Sequence, residues 1–585
     1  MASSNFNVHS AFANYFSKDE LNPWLYLLSQ SMDAGNVCLD TEEKIIESEG
    51  QSISKDILQN HKLVGTPGAI KPFIFNNKKL YLHRFFTYEE KLVAAIKGLC
   101  KQPVPPERIT FLKSLHKLIN ESLFPTNSLD KLDWQKVACI NAFTQKITII
   151  SGGPGTGKTT TVTKLLCLNL LENPRLKIQV CAPTGKASAR LQESISQAHK
   201  NLDQSVIDKK IIDTITAIQP KTIHSLLGYI PNSVQFKHNA NNCLDTDILI
   251  VDECSMIDMA MFYKLFQAID INRTRVILLG DKNQLASVDA GSVFRDLCTE
   301  TAPVNTFSKE QINLINEFIA NPSQQLTLAH TSSESHPLSG HIIELQTSYR
   351  FNDEQGIGKL SKAILYNDKD SIRHFYNNED PLVQIYQPEQ MGRAVDYIIE
   401  CMKEPLKGYA ASIDLNTSLS RMSHTSVLCA VKEGKYGVHA VNNSIAQQLF
   451  RPSEMFYPYQ LIMVTQNQAS EGVYNGDMGM VWEDKNHLSV YFPKGQNTYL
   501  QLNPAQLLSW DTAFAMTIHK SQGSEFDEIL IILPDNKENL LLTRELLYTA
   551  ITRAKQKVNI VGSLEIIETI AAQTVKRVSG IADHF

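Results

Sequence analysis

Eight consecutive residues, Gly152-Gly153-Pro154-Gly155-Thr156-Gly157-Lys158-Thr159, combine a glycine-rich turn with a cation and a hydroxyl. Such a run can wrap a polyphosphate. Its glycines let backbone N–H groups approach phosphate oxygens with no Cβ in the way. Lys158 would neutralise the β- and γ-phosphates, and Thr159, followed by Thr160, would offer a hydroxyl to Mg²⁺. The run follows the apolar segment ITIISG and opens a helical pattern, the context in which this motif cradles ATP.

A hydrolase needs more than a cradle. The segment Ile248 to Glu253 is an apolar strand ending in two carboxylates. Asp252 would hold the Mg²⁺ shell, and Glu253 would orient or deprotonate the attacking water. Alone such a strand end is common; downstream of a phosphate loop it completes a nucleotide-hydrolysis pair. Gln284, after the run RVILLGD, can hydrogen-bond a γ-phosphate or the water that attacks it. Gln135 precedes the phosphate loop and carries an amide that can both donate to and accept from an adenine edge. Arg350 and Arg553 could reach across a cleft to a γ-phosphate, although from spacing alone each also fits a surface arginine.

Three polar loops follow apolar runs: Pro183-Thr184-Gly185-Lys186, Thr222-Ile223-His224, and Thr517 to Phe526. Hydroxyls, basic groups and glycines suit phosphates of a nucleotide or of DNA, and they equally suit a solvated loop. Within the third lie Thr517, His519, Ser521, Gly523 and Glu525, whose groups suit a nucleotide or DNA alike.

The elements that must position these groups are legible as short apolar runs bounded by Gly, Pro or Asp. One set is ITIISG, IQVCAP, DILIVDE and RVILLGD; a second is SVLCAV, FAMTIH, EILIILP and VNIVG. These read as buried parallel strands alternating with helices, an α/β class. The runs LIMVTQ, GDMGMVWED and LSVYF, with an Asn475-Gly476 turn, predict a small β-barrel-like insertion over about residues 456–502. Residues 1–125 carry no nucleotide motif, and their helical patches predict a separate, mainly helical domain. The expected division is therefore 1–125, a first lobe over 126–345 and a second over 346–585. Residues 301–339, polar and without periodicity, read as a mobile surface insertion.

Composition sets broad bounds. The 585 residues are 43% hydrophobic and 20% charged, ample for about two to four soluble domains. A formal net charge of −5 gives no support to a nucleic-acid partner, yet a motor can line a narrow channel with cations and be acidic elsewhere. None of the ten cysteines forms a C-x-x-C pair, which argues against a zinc ribbon or iron–sulfur cluster and predicts reduced, buried thiols. The N-terminal residues show no secretory pattern, and no run reaches the about 18 apolar residues of a membrane span. A cytoplasmic protein is expected.

The ordered strings DWQKVA, ISGGPGTGKTTT, APTGKASARL, TIHSLLG, VDECSMID, LLGDKNQLASVDAGSVF, SYRF, VYNGDMGMV, MTIHKSQGSEFD and LTRELLYTAITRAK resemble superfamily-1 DNA helicases. More closely they are similar to the RecD family, the alpha subunits of exodeoxyribonuclease V. The resemblance spans residues 133–555 and implies two RecA-like P-loop lobes with ATP between them. It further implies single-stranded DNA across both lobes, an SH3-like insertion and 5′-to-3′ movement. By the same resemblance Gln135 becomes an adenine reader, Gln284 a γ-phosphate sensor, and Arg350 and Arg553 arginine fingers. The three polar loops become DNA contacts. RecB-like and RecC-like partner subunits, a role in double-strand break repair and recombination, and a nuclease residing on the RecB-like partner follow from it too. Cys254 and Gln466 depart from the family pattern, the latter standing where a basic residue is expected. The short N-terminal region resembles the complex-borne type. A stand-alone DNA helicase, an ATP-binding regulatory subunit with little unwinding, and an RNA helicase are the competing readings.

Overall fold

Two all-parallel sheets organise the chain, each with inner strands that are mainly apolar and buried. The computed structural model describes residues 7–42, 47–48, 51–52, 55–125, 131–198, 206–231, 233–332, 336–407, 415, 418–419, 424–484, 487–495, 498–536 and 541–585. The expected 125/126 boundary abuts residues 126–130, and the 301–339 segment contains residues 333–335; both stretches lie outside the described residues.

The first sheet has six strands, in the order Ile342–Leu345, Ile147–Gly152, Arg275–Gly280, Ile248–Val251, Ile178–Ala182 and Lys221–Thr222. All neighbouring pairs are parallel. The second has five parallel strands, in the order Val383–Tyr386, Ala554–Val561, Phe526–Ile532, Thr425–Cys429 and Ala515–Thr517. Every side chain of Ile147–Gly152 and Ile248–Val251 is buried, which is why these strands read as unbroken apolar runs and not as alternation. Parallel strands need crossovers, so helices such as Lys158–Glu172 and Arg544–Ile551 cover the sheets and deliver every strand end to one edge.

A five-stranded antiparallel sheet forms the insertion of the second lobe, in the order Thr498–Leu502, His487–Gly495, Met478–Asp484, Leu461–Val464 and Trp510–Thr512. Its core is Ile462, Val464, Val481, Val490 and Phe492. The closing strand, Trp510–Thr512, lies beyond the stretch the sequence suggested.

The N-terminal region is mainly helical, with a four-stranded sheet that sequence reading missed: Cys38–Asp40, Lys79–Leu82, Phe73–Asn76 and Val64–Gly65. Residues before 83 have their own small core around Trp24, Leu25, Leu28 and Phe73. The expected separation of residues 1–125 does not extend further. Helix His83–Cys100 buries Leu92, Val93, Ile96 and Leu99 in one cluster with Leu249, Phe262 and Leu278 of the first lobe. Tyr88 stacks on Tyr263 with ring centroids 4.4 Å apart. Arg108, on helix Pro106–Ser114, donates through Nε to Phe143 O at 2.8 Å and through Nη2 to Asn169 at 2.7 Å.

The reading of residues 301–339 as a mobile surface insertion is also corrected. A capping box at Ser308 and Gln311 starts helix Lys309–Asn316. Phe307 and Phe318 are fully buried, in one cluster with Phe143, Ile150 and Ile343 of the first lobe. Polar composition hid a small apolar face at helical spacing: Ile312, Ile315 and Ile319.

The last residues leave the second lobe. Arg577 donates to Asp289 O at 2.8 Å and Gly291 O at 3.0 Å in the first lobe. Val37 N donates to Val578 O at 3.0 Å, and Gly580 N to the fully buried Glu89 carboxylate at 3.0 Å. The chain terminus thereby ties the N-terminal region to the first lobe.

Phe318→Ala is expected to destabilise the first lobe by about 3–5 kcal/mol, read from the shift of its denaturation midpoint. A negligible shift would return residues 301–339 to the surface.

Candidate active site

The chemistry-bearing residues gather where the strand ends of the first lobe meet the second lobe, around a cavity of about 550 Å³. Strand Ile147–Gly152 runs into the glycine loop, and helix Lys158–Glu172 begins at its far end. The bend between them uses left-handed backbone at Gly155 (φ 78°) and Gly157 (φ 82°). Both positions are also crowded from outside. A Cβ on Gly155 would collide with Arg350, and one on Gly157 with the Gln135 amide. The loop thus requires glycine for conformation and for space. The helix start leaves backbone N–H groups unpaired by the helix itself, the usual seat of an anion. Lys158 Nζ donates to Gly152 O at 2.5 Å and lies 3.3 Å from Gly153 O, so it is held over the loop.

Loop and second-lobe approach are stitched together. Gln135 Nε2 donates to Thr156 O at 2.9 Å, and Tyr349 N donates to Gly155 O at 2.8 Å. Since the Gln135 nitrogen holds the loop, its Oε1 is the group left for a base edge. Tyr349, 56% exposed, lines the same cavity as Gln135. Sequence reading passed over it.

Strand Ile248–Val251 delivers Asp252 and Glu253 to the cavity. Glu253 takes left-handed backbone (φ 52°) and donates its N–H to Asp252 Oδ1 at 2.8 Å. Burial, then the neighbouring Glu253 charge, raise the Asp252 carboxyl; Lys158 opposes. Strand Arg275–Gly280, which lies between the two, delivers Asp281. This side chain is 1% exposed and accepts from Gln284 Nε2 and from Tyr548 OH of the second lobe, each at 3.1 Å. Burial raises its carboxyl too, against the pull of Lys158. Gln284 therefore reaches the cavity while bonded to Asp281, the carboxylate that Tyr548 reaches from the second lobe. Neither Asp281 nor Tyr548 was singled out by sequence, although both sit inside recognisable strings.

The second lobe contributes Arg553, fully enclosed, with Nε donating to Thr549 O and Nη1 to Ser524 O, each at 3.2 Å. Burial depresses its guanidinium, offset first by Glu253 and then by Asp281. Arg350 lies on the segment joining the lobes and pairs with Glu525. Burial, followed by the charges of Arg190 and Arg553, pushes it down to about 10. Arg190, on helix Gly185–Ala198 of the first lobe, pairs with the same Glu525 and was not among the expected site residues.

Pro154, Thr156, Thr159 and Thr160 line the cavity with the groups above, while Gly152 and Gly153 lie behind it. Gly523 is corrected: it is buried, outside the cavity lining, with left-handed backbone (φ 73°), and a Cβ there would sit 3.5 Å from Ala187 of the first lobe. It allows the lobes to approach. Thr159 and Asp252 suit one Mg²⁺ because a half-buried carboxylate and a hydroxyl face the space the phosphates need. Among the described residues no cluster of three or more His, Cys, Asp or Glu could hold a metal by itself. A phosphate-bridged ion needs no such cluster.

The remaining loops lie apart from the cavity. Thr222 is register partner of Ala182, so Pro183, Thr184, Gly185 and Lys186 run beside Thr222 and His224 at the outer end of the first sheet. Thr517 ends the outermost strand of the second sheet. His224 is exposed. Lys186 Nζ is 3.7 Å from Met478 of the insertion, and burial pushes its ammonium down to about 8. Burial also lowers His519. Ser521 is fully buried and donates to Ile518 O at 2.7 Å, so its hydroxyl shapes its own loop.

Comparison with known proteins comes to the same edge of the fold. The profile of an AAA domain matches residues 135–290, and that of a UvrD-like helicase C-terminal domain matches residues 512–561. The chain is similar to the RecBCD enzyme subunit RecD of Haemophilus influenzae, 33% identical over 541 residues, covering 88% of this chain and 81% of that protein. The RecBCD enzyme subunit RecD of Mycobacterium tuberculosis is 32% identical over 518 residues, covering 87% and 80%. The ATP-dependent RecD2 DNA helicase of Deinococcus radiodurans is 28% identical over 438 residues, covering 73% and 48%.

Gly157→Ala is expected to lower steady-state ATP hydrolysis by about 10²-fold, because the added methyl displaces Gln135 and the loop together. Near-wild-type turnover would contradict this account of the loop.

Proposed function

Because the chain belongs to the RecD family of superfamily-1 helicases, we propose that it is the ATP-driven DNA motor subunit of a RecBCD-type complex. The observation that carries this reading is the cavity itself. Lys158, Asp252, Glu253 and Gln284 of the first lobe face one space with Arg350 and Arg553. A phosphate loop alone supports an ATP binder; a phosphate loop roofed by arginines of a second lobe supports a machine whose closure depends on ATP.

ATP is the substrate. The loop N–H groups and Lys158 bind its β- and γ-phosphates, and Gln135 Oε1 and the Tyr349 ring receive the base. Glu253 orients the attacking water and takes its proton. Arg350 and Arg553 stabilise the charge that spreads over the γ-phosphoryl oxygens as the bond to the β-phosphate breaks. Thr159 and Asp252 would hold Mg²⁺, which would supply charge neutralisation at the phosphates. Gln284 senses the γ-phosphate, and its partner Asp281 passes that state to Tyr548 in the second lobe. Lobe closure on ATP and reopening after product release then alternate the grip of the outer loops on a DNA strand. Thr184, Lys186, Thr222, His224, Thr517 and His519 are the contact residues of that grip.

The family supports 5′-to-3′ movement, RecB-like and RecC-like partners, and a role in double-strand break repair. The N-terminal region is the surface assigned to those partners. No described helix is long and apolar enough to cross a membrane.

Arg553→Ala is expected to cut ATP turnover by about 10³–10⁵-fold while the chain still binds ATP. Unwinding should fall in parallel, and on wild-type complex a 5′-tailed duplex should engage this motor where a 3′-tailed one does not. Unchanged turnover in Arg553→Ala, or preference for the 3′ tail, would sink the reading.

A further inference from the structure

Arg190 is a cation of the cleft that the motor scheme leaves without a task. It lies on the face of helix Gly185–Ala198 that lines the cavity, together with Ala187, Leu191 and Ser194. These residues recur at the three-to-four spacing of one helix face, so the whole face is turned to the nucleotide space. Arg190 Nη2 pairs with Glu525 Oε1 of the second lobe, and Arg350 Nη2 pairs with that same oxygen.

Two guanidiniums on one carboxylate oxygen leave most of their donors idle. Each guanidinium carries five N–H groups in a rigid fork, which matches a phosphate better than a single oxygen. Arg350 Nη1 is buried here without a hydrogen-bond partner. Arg190 also lies within electrostatic reach of Asp252, Glu253 and Arg553, the groups that surround a terminal phosphate in the scheme above. A surface ion pair would show none of these neighbours.

We propose that Arg190 is a ligand of the terminal phosphate of ATP, and that Glu525 holds its guanidinium until that phosphate takes over. The inference rests on the ATPase reading of the cleft. The exchange is made between anions: a carboxylate with one oxygen engaged gives way to a phosphoryl group with three oxygens and more charge. ADP lacks that group, so with ADP the Arg190–Glu525 pair stays. Glu525 accordingly acts as counter-ion and competitor, not only as a contact to nucleotide. Because Arg190 and Glu525 come from opposite lobes, the exchange also frees one cross-lobe ion pair at the moment the arginines close on phosphate.

The test compares binding of fluorescent ADP and of a fluorescent non-hydrolysable ATP analogue to the full chain. Arg190→Ala is expected to weaken the analogue by about tenfold or more and ADP by less than about threefold. Retained ADP binding also shows that the variant folds. Arg190→Lys, which keeps the charge and loses the fork, should recover only part of the loss. Glu525→Gln should raise the preference for the analogue over ADP, since it removes the competing charge and keeps the shape. Equal weakening of both nucleotides in Arg190→Ala, no weakening of either, or an unchanged preference in Glu525→Gln would overturn the proposal. If the wild-type chain binds neither nucleotide, or Lys158→Ala binds both normally, the ATPase reading itself fails.

Discussion

Charge crowded into one cleft between the lobes is the constraint on which the rest of this structure depends. Lys158, Arg190, Arg350 and Arg553 face Asp252, Glu253 and Glu525 around one cavity, with Asp281 buried directly behind. Burial moves the titration of Asp252, Asp281, Arg350 and Arg553 toward their neutral forms; Lys158 opposes it at the two aspartates, and Glu253 and Asp281 oppose it at Arg553. Groups so placed are costly unless paired. Pairing them requires both lobes, because the carboxylate that holds Arg190 and the hydroxyl that holds Asp281 come from the second lobe. A polyphosphate is the ligand whose charge and oxygen count fit that arrangement, and its presence or absence must alter how the lobes sit.

Everything else serves to hold the two edges of the cleft in place. The inner strands Ile147–Gly152 and Ile248–Val251 of the first sheet are buried on both faces, so their ends are fixed to within the precision of core packing. Helix His83–Cys100 and the 301–339 segment extend that core and stiffen the first lobe. The terminal residues do the same from the other side. Arg577 grips the backbone at Asp289 and Gly291, a few residues beyond Gln284, and Gly580 is clasped by Glu89 of the N-terminal region. The loop carrying the γ-phosphate sensor is thus braced by the same segment that fastens the N-terminal region, the surface assigned to partner subunits.

Much of this was legible in the sequence, for reasons that are physical. Buried parallel strands must be apolar throughout, so ITIISG and RVILLGD were visible as strands with nearly their final limits. Gly155 and Gly157 were visible because no other residue satisfies both the left-handed backbone and the approach of Arg350 and Gln135. The edge strands Lys221–Thr222, Ile342–Leu345 and Val383–Tyr386 were not, since short or alternating runs carry little signal. Arg190, Asp281 and Tyr548 escaped for another reason: each acquires its role only when the lobes meet, and no local pattern records that. Ser521 shows the limit of local pattern: a hydroxyl that closes its own loop looks, in sequence, like one that awaits a phosphate.

The claim at the centre is that the γ-phosphate draws the two lobes together through Arg553. It is tested most directly by energy transfer between a dye on the exposed Cys243 of the first lobe and one on Tyr366→Cys, an exposed position of the second. Adding ADP with aluminium fluoride should change the transfer efficiency to a new, single value, and ADP alone should leave it unchanged. In Arg553→Ala the change should disappear. The same change with ADP alone, or its persistence without Arg553, would contradict the account.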